Sequence, residues 1–277
     1  MLQTFPLARK AARWLSQAGD ALASVLLPAD CRLCEKLLVT GGRVPICEKC
    51  LASFQGVPAR ICDICGQPLE SLQRVTAGTT NEVLHCANCK PPRFAFACAR
   101  SLTIYQDAVV SAILILKYQR MYPLAKWFAK NLAELARQQG ERFRADVVVP
   151  VPLHPSRQKE RGFNQAALIA KSLARELRLP YRPVLQRIRE RPPKKILSVE
   201  DRWAAVRGAF VTRPHSQVDN LRILLVDDVL TTGATLSACS RVLLDAGAQS
   251  VVSLTVARAA KSPVTRTSPA TATGGPE

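Results

Sequence analysis

Four Cys-x-x-Cys pairs within the first ninety residues constrain the fold of this chain more than any other feature of its sequence. The pairs are Cys31 and Cys34, Cys47 and Cys50, Cys62 and Cys65, and Cys86 and Cys89. Two sulfurs separated by two residues on a tight turn can point at one ion, and two such turns complete a tetrahedron of thiolates around Zn²⁺. The spacing therefore predicts two structural zinc sites, each formed by two neighbouring pairs.

Disulfide bonds or a redox centre are the alternative interpretation of these cysteines. A cytosolic chain disfavours disulfides, and four repeats of one spacing disfavour a single redox centre. His85 could compete with a neighbouring cysteine as a ligand, although eight cysteines already suffice for two sites. Cys98 and Cys239 have no partner at ligand spacing, and we assign both to the hydrophobic core.

Beyond residue 100 the pattern changes to short aliphatic strands that alternate with helices. Strands are predicted at SLTIY (101–105) and in ADVVVPVPL, LRILLVDDV and SVVSLTVAR; helices are predicted in DAVVSAILILKYQ, YPLAKWFAKNLAELARQQG, NQAALIAKSLARELRL and GATLSACSRVLLDAGA. This alternation predicts an α/β fold with a parallel sheet covered by helices on both faces. Ligands of such sheets bind at the carboxyl ends of the strands, here after VVVPVP and after ILLV.

The chain is predicted to consist of four parts. These are an amphipathic N-terminal helix (1–28), a double zinc ribbon (29–97), the α/β domain (98–260) and a disordered tail (261–277). Charged residues interrupt the apolar residues of the first helix, which excludes a secretory signal peptide. We expect this helix to dock on the rest of the protein, with contact to a membrane surface as the alternative. No run of about 20 apolar residues exists, so we expect no membrane span and a cytoplasmic location.

The charge balance favours anionic partners. The 277 residues include 39 Lys and Arg against 21 Asp and Glu, a net charge of +18. Such a surplus is typical of proteins that bind nucleic acid, phosphate-bearing small molecules or anionic lipid. A basic surface that serves only solubility is the alternative.

The segment ILLVDDVLTTGAT (223–235) predicts a ligand site. Val226 is predicted to end a buried strand, which would leave Asp227 and Asp228 at the edge of the crevice. The turn into the next helix, with backbone N–H groups and hydroxyls suited to a phosphate, contains Thr231, Thr232, Gly233, Ala234 and Thr235. Gly233 would let the backbone approach the anion. Carboxylates would repel that phosphate, so we expect them to accept hydrogen bonds from sugar hydroxyls, with Mg²⁺ nearby. The alternative, two acids that cap a helix, would need only one of them.

The same segment resembles the phosphoribosyl pyrophosphate (PRPP) signature of type I phosphoribosyltransferases along its whole length. VVPVPLHPSRQKERGFNQ (148–165), VLLDAGAQSVVSLTVAR and the cysteine pairs extend the resemblance to the ComF family of competence-associated proteins, over roughly residues 25–260. It implies a type I phosphoribosyltransferase-like domain over 98–260 behind the double zinc ribbon. It also implies PRPP as ligand and a role in DNA uptake or nucleotide-linked metabolism.

The resemblance implies a role for individual residues. Asp227 and Asp228 would hold the ribose hydroxyls, and Thr231–Thr235 the 5-phosphate. The loop after VPVP would face the pyrophosphate through His154, Ser156, Arg157, Lys159 and Arg161. Lys117 and Tyr118 stand where the family has a lysine followed by an aromatic residue. In related transferases a nucleophile displaces pyrophosphate at C1 of the ribose, and this chemistry needs positioning and charge neutralisation rather than a side-chain nucleophile.

Two hypotheses about function follow. Lys194 and Ala205 stand where the family has Gln and Asn, which leaves the acceptor open. The first hypothesis is a PRPP-using phosphoribosyltransferase with an unknown acceptor. The second is a non-catalytic adaptor of the DNA-uptake machinery, with the sheet domain as a nucleotide sensor and the ribbons as a docking surface. Single-stranded DNA and proteins of the competence machinery are the partners expected in that case.

Overall fold

The computed structural model describes residues 30–38, 44–69, 84–86, 89, 94–190 and 198–259. The predicted N-terminal helix over 1–28, the predicted tail over 261–277 and Lys194 lie outside these residues. Within them, no helix has the length and apolar character needed to cross a membrane.

A parallel sheet of four strands organises the described residues. In chain order the elements are α1 (Glu48–Ala52), β1 (Cys98–Ile104), α2 (Asp107–Tyr118), α3 (Tyr122–Gln138), a 3-10 turn (Gly140–Phe143), β2 (Val147–Pro150), α4 (Pro155–Arg161), α5 (Gln165–Leu177), β3 (Leu185–Arg187), α6 (Val199–Ala204), β4 (Phe210–Thr212), β5 (Arg222–Leu230), α7 (Ala234–Asp245) and β6 (Ser250–Arg258). The sheet has the order β1-β6-β5-β2, and β3 pairs with β4 separately and antiparallel. The predicted α/β fold is confirmed.

Both faces of the sheet are covered, as the sequence predicts. Successive side chains of β5 point to opposite faces because a strand has a period of two. Leu224 and Val226 join a core with α2, α3 and α5, whereas Ile223 and Leu225 join a second core with α7 and the β3–β4 pair. Burial of each such side chain contributes about 1.5–3 kcal/mol to folding. The sequence analysis did not predict the β3–β4 pair, which covers part of the second face of the sheet.

Strand β5 continues past the point where its neighbour β2 stops. Pro150, the last residue of β2, pairs with Val226, but β6 stays paired with β5 as far as Leu230. The prediction that Val226 ends the strand is therefore wrong, because β6 continues to supply a partner on one side. The two acids that follow Val226 lie on the extension of β5, where β2 has left the sheet.

Both cysteine regions are docked against the sheet domain. Near the first, the ring of Phe54 packs edge-on against Trp127 of α3, with 5.6 Å between ring centroids. In the second, the carbonyl oxygen of Asp63 accepts hydrogen bonds from the guanidinium groups of Arg100 (2.9 Å) and Arg142 (2.6 Å). These contacts fix the positions of the two regions relative to the strands.

The two unpaired cysteines are core residues, as predicted. Cys98 at the start of β1 and Cys239 in α7 are both buried. The first strand begins at Cys98, three residues before the predicted SLTIY segment. A strand buried on both faces lacks the alternation that marks a strand boundary in the sequence.

Candidate ligand site and cysteine clusters

Asp228 is buried in an ion pair at the extension of β5. Its Oδ2 lies 2.8 Å from Nζ of Lys117, in the last turn of α2, and accepts a hydrogen bond of 2.9 Å from Nε2 of Gln165, the first residue of α5. Burial opposes the charge on Lys117, but the ion pair and hydrogen bond with Asp228 outweigh it and raise the pKa of the ammonium group. The structure thus brings Lys117, a predicted site residue, directly to one of the two acids.

Asp227 has different surroundings, although it is the adjacent residue. It points to the opposite side of the strand and is half-buried, and its Oδ1 accepts the backbone N–H of Asp228 at 2.8 Å. Burial, together with repulsion from Asp228, raises the pKa of Asp227 to about 7. Asp228 therefore forms an ion pair with a lysine, whereas Asp227 gains and loses its proton near neutral pH.

The predicted phosphate-binding turn lies directly after β5. Thr231 and Thr232 precede Gly233, which is the N-cap of α7 and has a φ of +82°. A Cβ at Gly233 would lie only 2.5 Å from the ring of Phe94. Glycine is required here because a side chain would be strained by the left-handed backbone and would collide with that ring. The close approach that the structure shows at Gly233 is that of Phe94.

The predicted pyrophosphate loop forms a short helix, α4, so its assignment as a loop is wrong. His154 is the N-cap. Pro155 stands in the first turn, where the lack of a backbone N–H in proline costs no hydrogen bond within the helix. Gly162, with a φ of +83°, ends the helix. The hydroxyl of Ser156 lies 2.8 Å from Nδ1 of His154 and donates to Glu190 at 2.6 Å. Glu190 is a neighbour of this helix that the sequence analysis missed.

A chain of hydrogen bonds joins α4 to the acids. Nη1 of Arg161 donates to Oε1 of Gln165 at 2.5 Å, and the amide nitrogen of Gln165 donates to Asp228. The guanidinium of Arg161 also lies 5.2 Å from the ring centre of Tyr118, in cation–π contact. Four of the predicted site residues, Lys117, Tyr118, Arg161 and Asp228, are thus linked by a chain of contacts that runs through Gln165. The sequence analysis quoted Gln165 within RGFNQ but gave it no role.

Lys159 lines a cavity of about 870 Å³ between α4, α5 and residues 181–187. Three further cations, Lys171, Arg187 and Arg213, and the ring of Tyr181 also line it. The described residues that form its wall include no acid. Its chemistry suits an anionic ligand.

The eight paired cysteines form two clusters, and each could hold a metal ion. The clusters are Cys31, Cys34, Cys47 and Cys50, and Cys62, Cys65, Cys86 and Cys89; within each, all sulfurs lie within 4.8 Å of one another. Individual Sγ–Sγ distances are 3.7 Å for Cys34 and Cys47 and 3.7 Å for Cys65 and Cys86. Zinc–sulfur bonds of about 2.3 Å in a tetrahedron place the sulfurs about 3.7 Å apart. The clusters combine the pairs as predicted, and His85 belongs to neither.

Comparisons with known proteins show a matching domain family and relatives that cover most of the chain. The phosphoribosyl transferase domain family matches residues 164–272. Competence protein F of Haemophilus influenzae is 27% identical over 223 residues, which cover 77% of this chain and 90% of that protein. Competence protein ComFC of Bacillus subtilis is 27% identical over 222 residues, 77% of this chain and 84% of that protein. DNA utilization protein YhgH of Escherichia coli O157:H7 is 30% identical over 234 residues, 81% of this chain and 95% of that protein.

Proposed function

The chain belongs to the ComF family and carries a phosphoribosyltransferase domain, and from this premise we propose that it binds PRPP, or another ribose 5-phosphate ligand, at the carboxyl ends of β5 and β2. The observation that carries the proposal is the arrangement of three neighbouring groups. Two acids lie where β2 leaves the sheet, a glycine-containing turn opens α7 directly after them, and the basic helix α4 is joined to them through Gln165.

Each part of PRPP has a chemically suitable neighbour at this site. Asp227 and Asp228 accept hydrogen bonds from the ribose hydroxyls. The turn from Thr231 to Thr235 holds the 5-phosphate with the positive end of the α7 dipole. The helix α4 faces the pyrophosphate through the predicted residues His154, Ser156, Arg157, Lys159 and Arg161. Mg²⁺ prefers carboxylate and phosphate oxygens, so the acids and the pyrophosphate are its expected ligands.

As a transferase, the protein would act by orientation and charge neutralisation. A nucleophile forms a bond to C1 of the ribose while the bond from C1 to the pyrophosphate oxygen breaks, and pyrophosphate leaves with the bonding electrons. Cations of α4 offset the charge that develops on the leaving group, and the acids hold the ribose. The acceptor stays open: Ala205 lies at the end of α6, away from any described contact with the acids.

The assignment of the ribose to the acids can be tested with Asp227→Asn, which leaves the Lys117–Asp228 ion pair untouched. Hydrogen bonds to charged groups contribute about 1.5–3 kcal/mol, so calorimetry should show PRPP affinity reduced by roughly tenfold or more. Inorganic phosphate, which needs only the turn at Thr231–Thr235, should bind as before. The matched control is Asp245→Asn, which removes one negative charge from an exposed position at the far end of α7.

Two results would count against this assignment. Equal loss of PRPP and phosphate affinity would mean that Asp227 holds the turn in shape and does not bind the sugar. Unchanged affinity for both ligands would place the PRPP site elsewhere.

We further propose that both cysteine clusters hold zinc, one ion each, in a structural role. All four ligand positions of each cluster are thiolates, which leaves no coordination position for a substrate. The ions would fix the short turns and α1, which bury too little apolar surface to fold alone.

Nucleic-acid binding is a second candidate function, favoured by the net charge of +18 and by the cation-lined cavity beside α5. We propose that single-stranded DNA lies along this cavity, with its phosphates near Lys171 and Arg213 and a base against Tyr181. The names of the relatives, which refer to competence and DNA utilization, are consistent with such a partner. In this case proteins of the DNA-uptake machinery would be expected at the cysteine-rich surface.

A further inference from the structure

One buried arginine connects the second cysteine cluster to the predicted phosphate-binding turn. Arg258 is the last residue of β6, and its Nη2 lies 3.8 Å from Sγ of Cys65. Its Nη1 donates to the carbonyl oxygens of Leu230 (2.9 Å) and Thr231. A single guanidinium group therefore touches a metal-ligand sulfur on one side and the beginning of the turn on the other.

A second connection runs from the same cluster to the other end of the turn. The ring of Phe94, which follows Cys89 in the chain, packs against Gly233 and stacks on Phe96 with 4.7 Å between ring centroids. The backbone N–H of Ala95 donates to Oγ of Ser237 in the first turn of α7, at 3.1 Å. The second cluster is thus connected to both ends of the turn, through Arg258 at one end and through Phe94 at the other.

The first cluster has no such connection among the described residues. Its neighbour Phe54 packs on α3, and Gly56 bridges to Thr103 of β1. Among the described residues, the second cluster therefore has contacts through which its metal ion could influence the predicted phosphate-binding turn, and the first cluster has none.

The contact with Arg258 fixes the orientation of peptide groups in the turn. A carbonyl and the N–H of the following residue lie in one trans peptide plane and point in opposite directions. When Arg258 holds the carbonyls of Leu230 and Thr231, the N–H groups of Thr231 and Thr232 are turned away from the cysteine cluster. Those N–H groups are among the donors that a phosphate in this turn would need.

The contact between Arg258 and Cys65 gives a bound metal ion a way to influence the position of the guanidinium group. Metal binding holds four sulfurs in a fixed tetrahedron and gives the cluster two net negative charges, to which a buried guanidinium is attracted. We propose that Arg258 is a positioning residue that couples metal occupancy of the second cysteine cluster to the anion affinity of the turn at Thr231–Thr235. This inference rests on the proposed function, which assigns a phosphate to that turn.

Full-length protein with Co²⁺ in place of zinc provides the test, because the thiolate–cobalt absorption bands report the geometry of the clusters. Titration with inorganic phosphate, and separately with PRPP, should shift these bands in the wild-type protein. Arg258→Gln should abolish the shift and lower phosphate affinity by about fivefold or more, the lower range of typical coupling between sites. Arg258→Lys, which keeps the charge, should restore part of the affinity.

Arg142→Gln is the matched control. Arg142 donates to the carbonyl of Asp63 in the same cysteine region but has no described contact with the turn. This variant should keep both the spectral shift and the phosphate affinity, and metal analysis of the three arginine variants should give two ions per chain. Cys34→Ser, which removes an exposed ligand of the first cluster, should also leave phosphate affinity unchanged.

The possible failures are distinct. If the wild-type protein binds phosphate and PRPP but the cobalt bands do not move and Arg258→Gln binds normally, the coupling is refuted and the proposed function stands. If Arg142→Gln loses as much affinity as Arg258→Gln, general loosening of the cysteine region explains both, and Arg258 has no specific role. If the wild-type protein binds neither ligand, the proposed function itself is refuted.

Discussion

Adjacent aspartates in this chain are chemically unequal, and the difference follows from the geometry of a strand. Because successive side chains alternate between faces, Asp228 points towards α2 and α5 and meets Lys117, whereas Asp227 points the other way. The sequence places both acids at the site, but it cannot show that the ammonium group of Lys117 lies 2.8 Å from Asp228. The raised pKa of Asp227 therefore leaves this acid partly protonated near neutral pH.

The raised pKa of Asp227 predicts a pH dependence of stability. The folded-state pKa of about 7 lies above the unfolded value of about 3.9, so the folded protein binds more protons between these values and its stability falls as pH rises from 4 to 7. Asp227→Asn removes this loss. Its free energy of unfolding, measured with urea, should exceed that of the wild type at pH 8, and the difference should shrink towards pH 4. A variant that is less stable than the wild type at pH 8 would contradict the raised pKa.

Elements with a strong local signal were predicted, and those fixed by distant contacts were not. The aliphatic strands and the amphipathic helices α3 and α5 follow from periodicity. Sequence reasoning predicts a loop in place of α4, although HPSRQKERG carries a helix start and stop, because a helix of 7 residues is too short for a period to show. The strands β3 and β4, three residues each, are too short for any period to show.

The network at the candidate site lies beyond sequence reasoning for a different reason. Lys117, Asp228, Gln165 and Arg161 come from four elements, and Arg258 reaches a cysteine 193 positions away in the chain. Side chains in such contacts leave no spacing pattern. They were identifiable only where a family resemblance marked them, as for Lys117 and Arg161, and Gln165 and Arg258 were missed.

Each cysteine cluster should bind metal as a separate element. Metal analysis of the purified protein should give two zinc ions per chain. Cys47→Ser should lower the count to one, because it removes a ligand that is also the N-cap of α1, and hydrogen exchange should show loss of protection around residues 29–60. Protection of β1 and β5 serves as the internal control. A wild-type count of one would mean that a cluster does not bind zinc, and a count of zero would refute both sites.

At the scale of the whole molecule, the surplus of 18 positive charges should act over distances larger than any single contact. Such a field attracts polyanions irrespective of sequence, and its effect is screened by salt. With aromatic residues at only 5% of the chain, stacking should contribute less than phosphate contacts. We expect a polyanion attracted by this field to bind at the cation-lined cavity beside α5.

Affinity for single-stranded DNA should therefore fall steeply as salt rises from about 50 to 200 mM and show little dependence on base sequence. Lys171→Glu combined with Arg213→Glu should weaken binding and reduce the salt dependence, as fluorescence anisotropy with labelled oligonucleotides would measure. Lys126→Glu combined with Lys130→Glu makes the same charge change on the exposed side of α3 and is the control. Equal losses in both variants would show that net charge alone, and not the cavity, binds DNA.

The pairing of β1 with β6 imposes an order on folding. Cys98 opposes Val252 across the sheet, and β6 is the only strand beside β1 in the described sheet. On the ribosome, β1 must therefore wait unpaired until nearly the whole sheet domain has been synthesised, and closing so long a loop is slow. The cysteine clusters need only short segments that emerge before β1. Metal capture can thus precede sheet formation, so that a nascent chain would hold its ions while its longest-range strand pair is still being translated.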